Sequence, residues 1–353
     1  MKPFRRRTQP IRGVNLGGWL VLEKWMTPSL FADSASVDEY TFCQQASAAD
    51  RRKLKRHRDT FITEKDFIWL AAHDVQAVRL PVGWWLFGDD SPNAKPYEPT
   101  VDYVDKAFAW AKQHGLQVLL CLHGAPGSQN GNDHSGRSGA IAWSQQENVK
   151  QTLMVVERIA QRYGKQSALM GIELLNEPAL SLSSAVLKRY YRQAYKLVRR
   201  HCLPAVCVVI SDSFQLPRQQ WWLHWPRYRR VCVDTHQYQC FSPADKALSI
   251  GGHLRRTARI GNQLRRVAWH RRLIVGEWSA ALDAASLQGL SDKEQQRAYH
   301  NYVQAQLHAY RHARAWFFWS YRIEDGQNES AWSYRDVYAQ GWLDSVDEKP
   351  TTS

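Results

Sequence analysis

GIELLNEP, running from Gly171 to Pro178, decides how the rest of this chain is read. It is a short apolar run of the kind that makes a buried strand, ended by the carboxylate of Glu177 and broken by proline. LIVGEW, from Leu273 to Trp278, repeats the arrangement with Glu277. A carboxylate near apolar surroundings costs free energy unless it is partnered. Two of them at strand ends therefore imply a use, the alternative being that each caps a strand and faces water.

Working outward, six more short apolar runs appear. With the two above, the strand candidates cover 12–16, 77–81, 117–123, 170–177, 205–210, 230–236, 273–278 and 315–320. They are nearly continuous in apolar residues rather than alternating, which marks strands buried on both faces, as in parallel sheets. Helical patterns lie between them. Asn148–Tyr163 places Val149, Leu153, Val156, Ala160 and Tyr163 on one face, with Gly164 after it, and Asp102–His114 ends at Gly115 in the same way. Ser291 and Glu294 form a capping box ahead of a helix carrying Tyr299, Tyr302, Val303, Leu307 and Tyr310. Eight strands alternating with helices predict an α/β fold, a (β/α)8 TIM barrel forming a single domain over 1–353, with the barrel at about 11–345. The chemistry of such a barrel lies where strands end. The long segments 19–50, 124–143, 237–252 and 321–342 all follow strand ends, and long loops in a compact domain are usually functional.

Composition narrows the partners. Sixteen Trp and 15 Tyr suit pockets that stack on flat apolar faces such as sugar rings, although some must serve the core. The balance of 47 Lys+Arg against 33 Asp+Glu gives a net charge of +14, concentrated in Arg5–Arg7, Arg51–Arg58, Arg227–Arg230 and the pairs 255–256, 265–266 and 271–272. That surface favours an anionic glycan or membrane surface, or is only a solvated exterior. No zinc-finger, RNP or P-loop spacing accompanies it, so no specific nucleic-acid partner is expected; GAPGSQNG (Gly124–Gly131) lacks the Gly-Lys-Ser/Thr that grips phosphate. The six cysteines form no CxxC pair or metal spacing, and neither metal nor cofactor is expected. The N-terminus is basic without an apolar segment behind it, and no run of 18 apolar residues occurs, so a cytoplasmic protein is expected. Export without a conventional signal stays open, and so does the oligomeric state.

Two carboxyls at strand ends fit glycoside hydrolysis, which uses one as acid/base and the other as nucleophile or base. The other polar and aromatic residues at strand ends are Arg79, His123, Asn176, His236, Tyr238 and Trp319. These, with RGVNLGGWLVLE (12–23), VRLPVGWW (78–85), LHGAPGSQNG (122–131), DTHQYQCF (234–241) and GEWSAAL (276–282), resemble glycoside hydrolase family 5 and its exo-β-1,3-glucanase subgroup. The resemblance spans nearly the whole chain and implies a retaining β-glycosidase acting on a β-linked glycan. It makes Glu177 the acid/base and Glu277 the nucleophile, held ionised by Arg79 and Tyr238. It places Asn176 on the sugar 2-hydroxyl, His236 beside Glu177, His123 on sugar hydroxyls and Trp319 under the reacting ring. Glu23 would bind the terminal glucose, and Phe241 would form half of an aromatic clamp around the next sugar. Two positions depart from the pattern: Asn132 stands where the second clamp Phe belongs, and Cys121 where Asp is common. Rival readings are action on an acidic oligosaccharide or glycolipid, net transglycosylation, or a carbohydrate-binding barrel without catalysis.

Overall fold

Strands buried on both faces close on themselves here. The computed structural model describes residues 9–88, 95–216, 223, 226–325 and 330–343; the Arg5–Arg7 cluster and positions 326–329 of the last long loop lie outside them. The strands are β1 (Ile11–Asn15), β2 (Ala77–Gly83), β3 (Gln117–Gly124), β4 (Leu169–Glu173), β5 (Cys207–Ser211), β6 (Val231–Gln237), β7 (Arg272–Trp278) and β8 (Ala315–Phe318). All pair in parallel, and β8 pairs with β1, so the sheet is a closed barrel without an edge. β4 and β8 stop earlier than their apolar runs. Leu174–Glu177 and Trp319–Ser320 have left the sheet and belong to the mouth where strands end.

Helices Glu64–Ala72, Val101–Gln113, Gln146–Tyr163, Ser184–His201, Ile250–His270 and Asp292–Tyr310 cover the barrel. The buried stripe of Gln146–Tyr163 is Thr152, Val155, Val156, Ile159, Ala160 and Tyr163, rotated from the expected face so that Val149 and Leu153 lie at its edge. Gly115 ends its helix with a left-handed φ of 74°. Gly164 works differently: its backbone stays right-handed, and a Cβ there would lie 2.3 Å from the carbonyl of Ala160. The Ser291–Glu294 capping box forms. Among the described residues no helix is long and apolar enough to cross a membrane.

Alternation along the strands stacks the barrel interior in layers. At the end where strands begin, Ala77, Leu119, Val209, Cys232, Ile274 and Ala315 form an apolar plug. Two residues further along the same strands, the interior turns polar: Arg79, Cys121 and Asp234, joined by Glu173, are all fully buried. Gly276 makes room for this layer, since a Cβ there would lie 2.0 Å from Asp234 Oδ2. The site rests directly on it.

Candidate active site

Arg79 organises the site from below. Its Nε donates to Glu173 Oε2 at 2.8 Å, Nη1 to Asn15 Oδ1 and to Glu277 Oε1, both at 2.8 Å, and Nη2 to Asn176 Oδ1 at 2.7 Å. One fully buried guanidinium on β2 thus spends its fork on four acceptors, from β1, β4, β7 and the segment just past β4. Removing one partner of a buried pair costs about 3–5 kcal/mol, because the other is left uncompensated. The Asn176 contact has a chemical consequence. With Oδ1 committed to Arg79, its Nδ2 is turned outward, buried and without a protein partner.

Glu277 receives two hydrogen bonds, from Arg79 on Oε1 and from the Tyr238 hydroxyl on Oε2, each 2.8 Å. Burial pushes this carboxyl above its ordinary value and the charge of Glu177 adds to that; His236, Arg79 and Tyr238 push back. The ionising effect expected of Arg79 and Tyr238 is present, and burial at the barrel mouth works against it.

Glu177 is positioned by its backbone. It has φ of 40°, a left-handed conformation that a residue with a side chain adopts only when its surroundings impose it. The GAPGSQNG segment supplies the constraint: Gln129 Nε2 donates to the carbonyls of His123 (2.7 Å) and Asn176 (3.0 Å), and Asn130 Nδ2 to that of Glu177 (3.2 Å). The loop that lacks phosphate-binding residues is therefore a clamp on the Asn176–Glu177 turn. The carboxylate lies 2.5 Å from His236 Nδ1 and 3.5 Å from His134 Nε2. Burial works against its charge, but His236, His134 and Arg79 hold it down to about 2. His236 is the complement: burial opposes its charge, while Glu277, Glu177 and Asp234 raise it well above an ordinary imidazole. In the free site the proton sits on His236, one short hydrogen bond from Glu177.

The remaining expected residues surround this pair. Glu23 is buried, accepts from Trp25 Nε1 at 2.8 Å through Oε2, and leaves Oε1 without a protein partner. Burial, Asp133 and the two central carboxylates raise it well above the ordinary value. His123 stacks on Trp319 with ring centroids 5.5 Å apart and planes 9° apart, and burial holds it well below the ordinary imidazole value. Trp319 is itself only 4% exposed, packed with Met26 and Ile323. Phe241, 64% exposed, stands at the mouth against Tyr238 and Trp332. Asn132 holds the N-cap position of the turn Asp133–Ser135, without a side-chain capping hydrogen bond.

Sequence reasoning missed several participants. Asn15 and Glu173 end β1 and β4 and Asp234 lies inside β6, where a polar side chain reads as an interruption of a core strand. Alternation gave a signal for Asp234, which lies on the same side of β6 as His236. His134, Trp25 and Trp332 come from loops, where no period applies. Two groups, Glu173 with Asp234 and His236, and Glu177 with His236 and Glu277, hold ligand-capable atoms within 4.8 Å of one another. Arg79 already supplies positive charge to both Glu173 and Glu277.

The second group also sets the chemistry. A carboxylate oxygen of Glu177 and one of Glu277 are no more than 4.8 Å apart, the short separation of retaining glycoside hydrolases rather than the roughly 6.5–9.5 Å that inverting ones need for water. A closed parallel barrel with this pair at its mouth defines a glycoside hydrolase. Residues 46–341 match the cellulase profile of glycosyl hydrolase family 5, and the chain belongs to that family. It is 36% identical to the probable glucan 1,3-beta-glucosidase A of Aspergillus fumigatus, over 94% of this chain and 86% of that one. The protein of the same name from Emericella nidulans is 34% identical, over 94% and 89%. In fold it is similar to the rutinosidase from Aspergillus niger, with a TM-score of 0.76 at 21% identity over 95% and 98% of the two chains. The chain is a retaining glycoside hydrolase.

Proposed function

We propose that this chain is an exo-acting β-glucosidase on β-1,3-linked glucose, with Glu277 as nucleophile and Glu177 as acid/base. The close approach of these two carboxylates, each with a different set of partners, carries the reading. Arg79 and Tyr238 occupy one position on each Glu277 oxygen and orient it, while Glu177 shares a proton with a charged imidazole. As the bond from the anomeric carbon to the leaving oxygen breaks, Glu277 bonds to that carbon. The proton held by His236 crosses the 2.5 Å contact to Glu177, which delivers it to the departing oxygen. Water then attacks the glycosyl ester, gives its proton back to the Glu177–His236 pair, and frees Glu277 with the β configuration restored.

Specificity for a terminal glucose is supported by open polar atoms. Glu23 Oε1 and Asn176 Nδ2 are buried groups that a sugar's hydroxyls would satisfy, and the names of the fungal relatives point to β-1,3 linkage. Association with an acidic glycan gets no help from the basic helix Ala48–Thr60. There Arg51, Lys53, Lys55 and Arg58 are paired with Glu98, Asp33, Asp59 and Glu39. A reducing, cytoplasmic setting belongs to the same reading and is supported by the unbridged, buried Cys43, Cys121 and Cys232. The deciding experiment is product analysis on defined β-linked glucose oligosaccharides. Glucose released singly from laminaritriose, faster than from cellotriose or gentiotriose, supports the proposal; faster cleavage of another linkage, or release of internal fragments, rejects it.

A further inference from the structure

Cys121, which stands where the resemblance expects Asp, belongs to the buried polar layer directly beneath the site. β3 and β4 hold Cys121 opposite Glu173 in register, so both side chains point into the barrel. Both residues are fully buried. His123 lies two residues further along β3 on the same side, with Nδ1 3.7 Å from the Cys121 sulfur. The thiol therefore stands between a carboxyl on the neighbouring strand and the imidazole above it.

These two neighbours ask different things of the sulfur. Arg79 Nε occupies Glu173 Oε2 at 2.8 Å, and Oε1 is buried with no nitrogen or oxygen donor. The Cys121 thiol is the donor that acts on this carboxyl. Burial pushes the thiol well above its ordinary value; Arg79 opposes, while Glu173 and Glu277 add to the rise, so the sulfur keeps its proton. His123 is neutral, held well below the ordinary imidazole value by burial and by the charge of Arg79. A neutral imidazole has one N–H, and the hydrogen bond made by one nitrogen settles the state of the other. With its single hydrogen turned to Glu173, the sulfur can only accept from Nδ1. The opposite arrangement, S–H to Nδ1, would leave a buried carboxyl oxygen without a donor, at the full desolvation cost of that oxygen.

We propose that Cys121 sets the tautomer of His123: the thiol donates to Glu173, its sulfur accepts from Nδ1–H, and Nε2 is left as an acceptor for a sugar hydroxyl. Cys121 is thus a positioning residue, acting on the substrate through His123. The consequence is directional. In this tautomer His123 takes a hydroxyl as donor, whereas the other tautomer would offer N–H and turn the hydroxyl round. Stacking on Trp319, with planes 9° apart, already fixes the plane of the ring, so the position of the proton is what Cys121 adds. Asp at this position would also accept from Nδ1, but it would set a second carboxylate against Glu173; the thiol serves both neighbours without charge. The inference rests on the reading of this pocket as a sugar site, and the first part of its test needs no sugar.

The test uses the full chain with isotopically labelled histidine. Long-range proton–nitrogen correlation spectra report which ring nitrogen carries the hydrogen, and the His123 signals are those lost in His123→Gln. Wild type should show Nδ1–H. Cys121→Val, which removes donor and acceptor together, should convert the ring to Nε2–H. Cys121→Asn should keep Nδ1–H, because its amide oxygen accepts from His123 while its amide nitrogen donates to Glu173. On an aryl β-glucoside, Cys121→Val should lower kcat/KM about tenfold, the value of one substrate hydrogen bond, and Cys121→Asn should lose much less. In a His123→Ala background Cys121→Val should cost nothing further, which a merely structural role would not produce. If the Val variant does not fold, the wild-type and Cys121→Asn spectra decide in its place. Nε2–H in wild type, an unchanged tautomer in Cys121→Val, its loss in Cys121→Asn, or an equal kinetic cost with and without His123 would overturn the proposal. Conversion to Nε2–H with kcat/KM unaltered would instead overturn the sugar contact of His123 and, with it, the role given to Cys121.

Discussion

His236 Nδ1 lies 2.5 Å from Glu177 Oε1, and the same imidazole nitrogen is 3.4 Å from Glu277 Oε2. The ring therefore stands between the two carboxylates, with Asp234 behind it at 3.4 Å from Nε2. Positive charge on the imidazole is held by three carboxyl groups, and the nearest of them is Glu177, the proposed acid/base.

This pair makes stability depend on pH in a defined window. Glu177 is depressed from 4.5 to about 2, so its contribution is present above 4.5 and is lost as pH falls through about 2. His236 is raised from 6.5, so its contribution is present below 6.5 and is lost as pH rises through its folded value. Together they are strongest between about 4.5 and 6.5. Melting curves across pH should show Glu177→Gln losing the acid-side slope and His236→Asn losing the alkaline-side slope. Curves parallel to wild type would show that the pair is not charged.

Retention fixes the first product. NMR of an early reaction mixture should show the β-anomer ahead of mutarotation. In Glu277→Ala hydrolysis should almost vanish, and azide should restore turnover as an α-glycosyl azide. In Glu177→Ala, aryl glycosides with good leaving groups should still glycosylate the enzyme, and azide should give the β-product. Exchanged outcomes would reverse the two roles.

Glu23 should carry terminal-glucose recognition. Its free Oε1 is placed for a hydroxyl, and charged or shared-proton hydrogen bonds are worth about 1.5–3 kcal/mol, so Glu23→Ala should cut kcat/KM roughly 10–150-fold. Its Tm should change little compared with that loss. An unaltered kcat/KM would remove Glu23 from the substrate site.

The mouth predicts a gain. Phe241 is exposed, and Asn132, at the position the resemblance assigns to the second clamp Phe, has no ring. Asn132→Phe should improve activity on laminarioligosaccharides several-fold, from about 0.5–1.5 kcal/mol of stacking if aromatic pair energies transfer to sugars. Cleavage of aryl β-glucosides, which reach no further sugar site, should stay the same. An unchanged oligosaccharide rate would mean that the clamp does not span these positions.

Arg79→Met should be the most destabilising of the single changes. It strands Glu173 and Glu277, and a loss of about 3–5 kcal/mol is expected by denaturant unfolding. A smaller loss, below about 1 kcal/mol, would show that water reaches the buried carboxylates.

The barrel was legible in the chain because strands buried on both faces must be apolar almost throughout, and eight such runs separated by helical periods admit few other closures. Glu177 and Glu277 were legible for a related reason: a carboxylate ending an apolar run is costly, and cost without partners in sequence points to partners in space. What the runs could not disclose was where pairing stops. Leu174–Glu177 reads as strand by composition, yet leaves the sheet because Gln129 and Asn130 pull its carbonyls toward another loop. Nor did any pattern disclose that Arg79 would bind four acceptors, that His236 would hold the proton of Glu177, or that the Cys121 thiol would face Glu173 from the neighbouring strand. Those are distances between segments far apart in the chain. Electrostatic energy depends on such distances and on the burial around them, and only the closed barrel sets both.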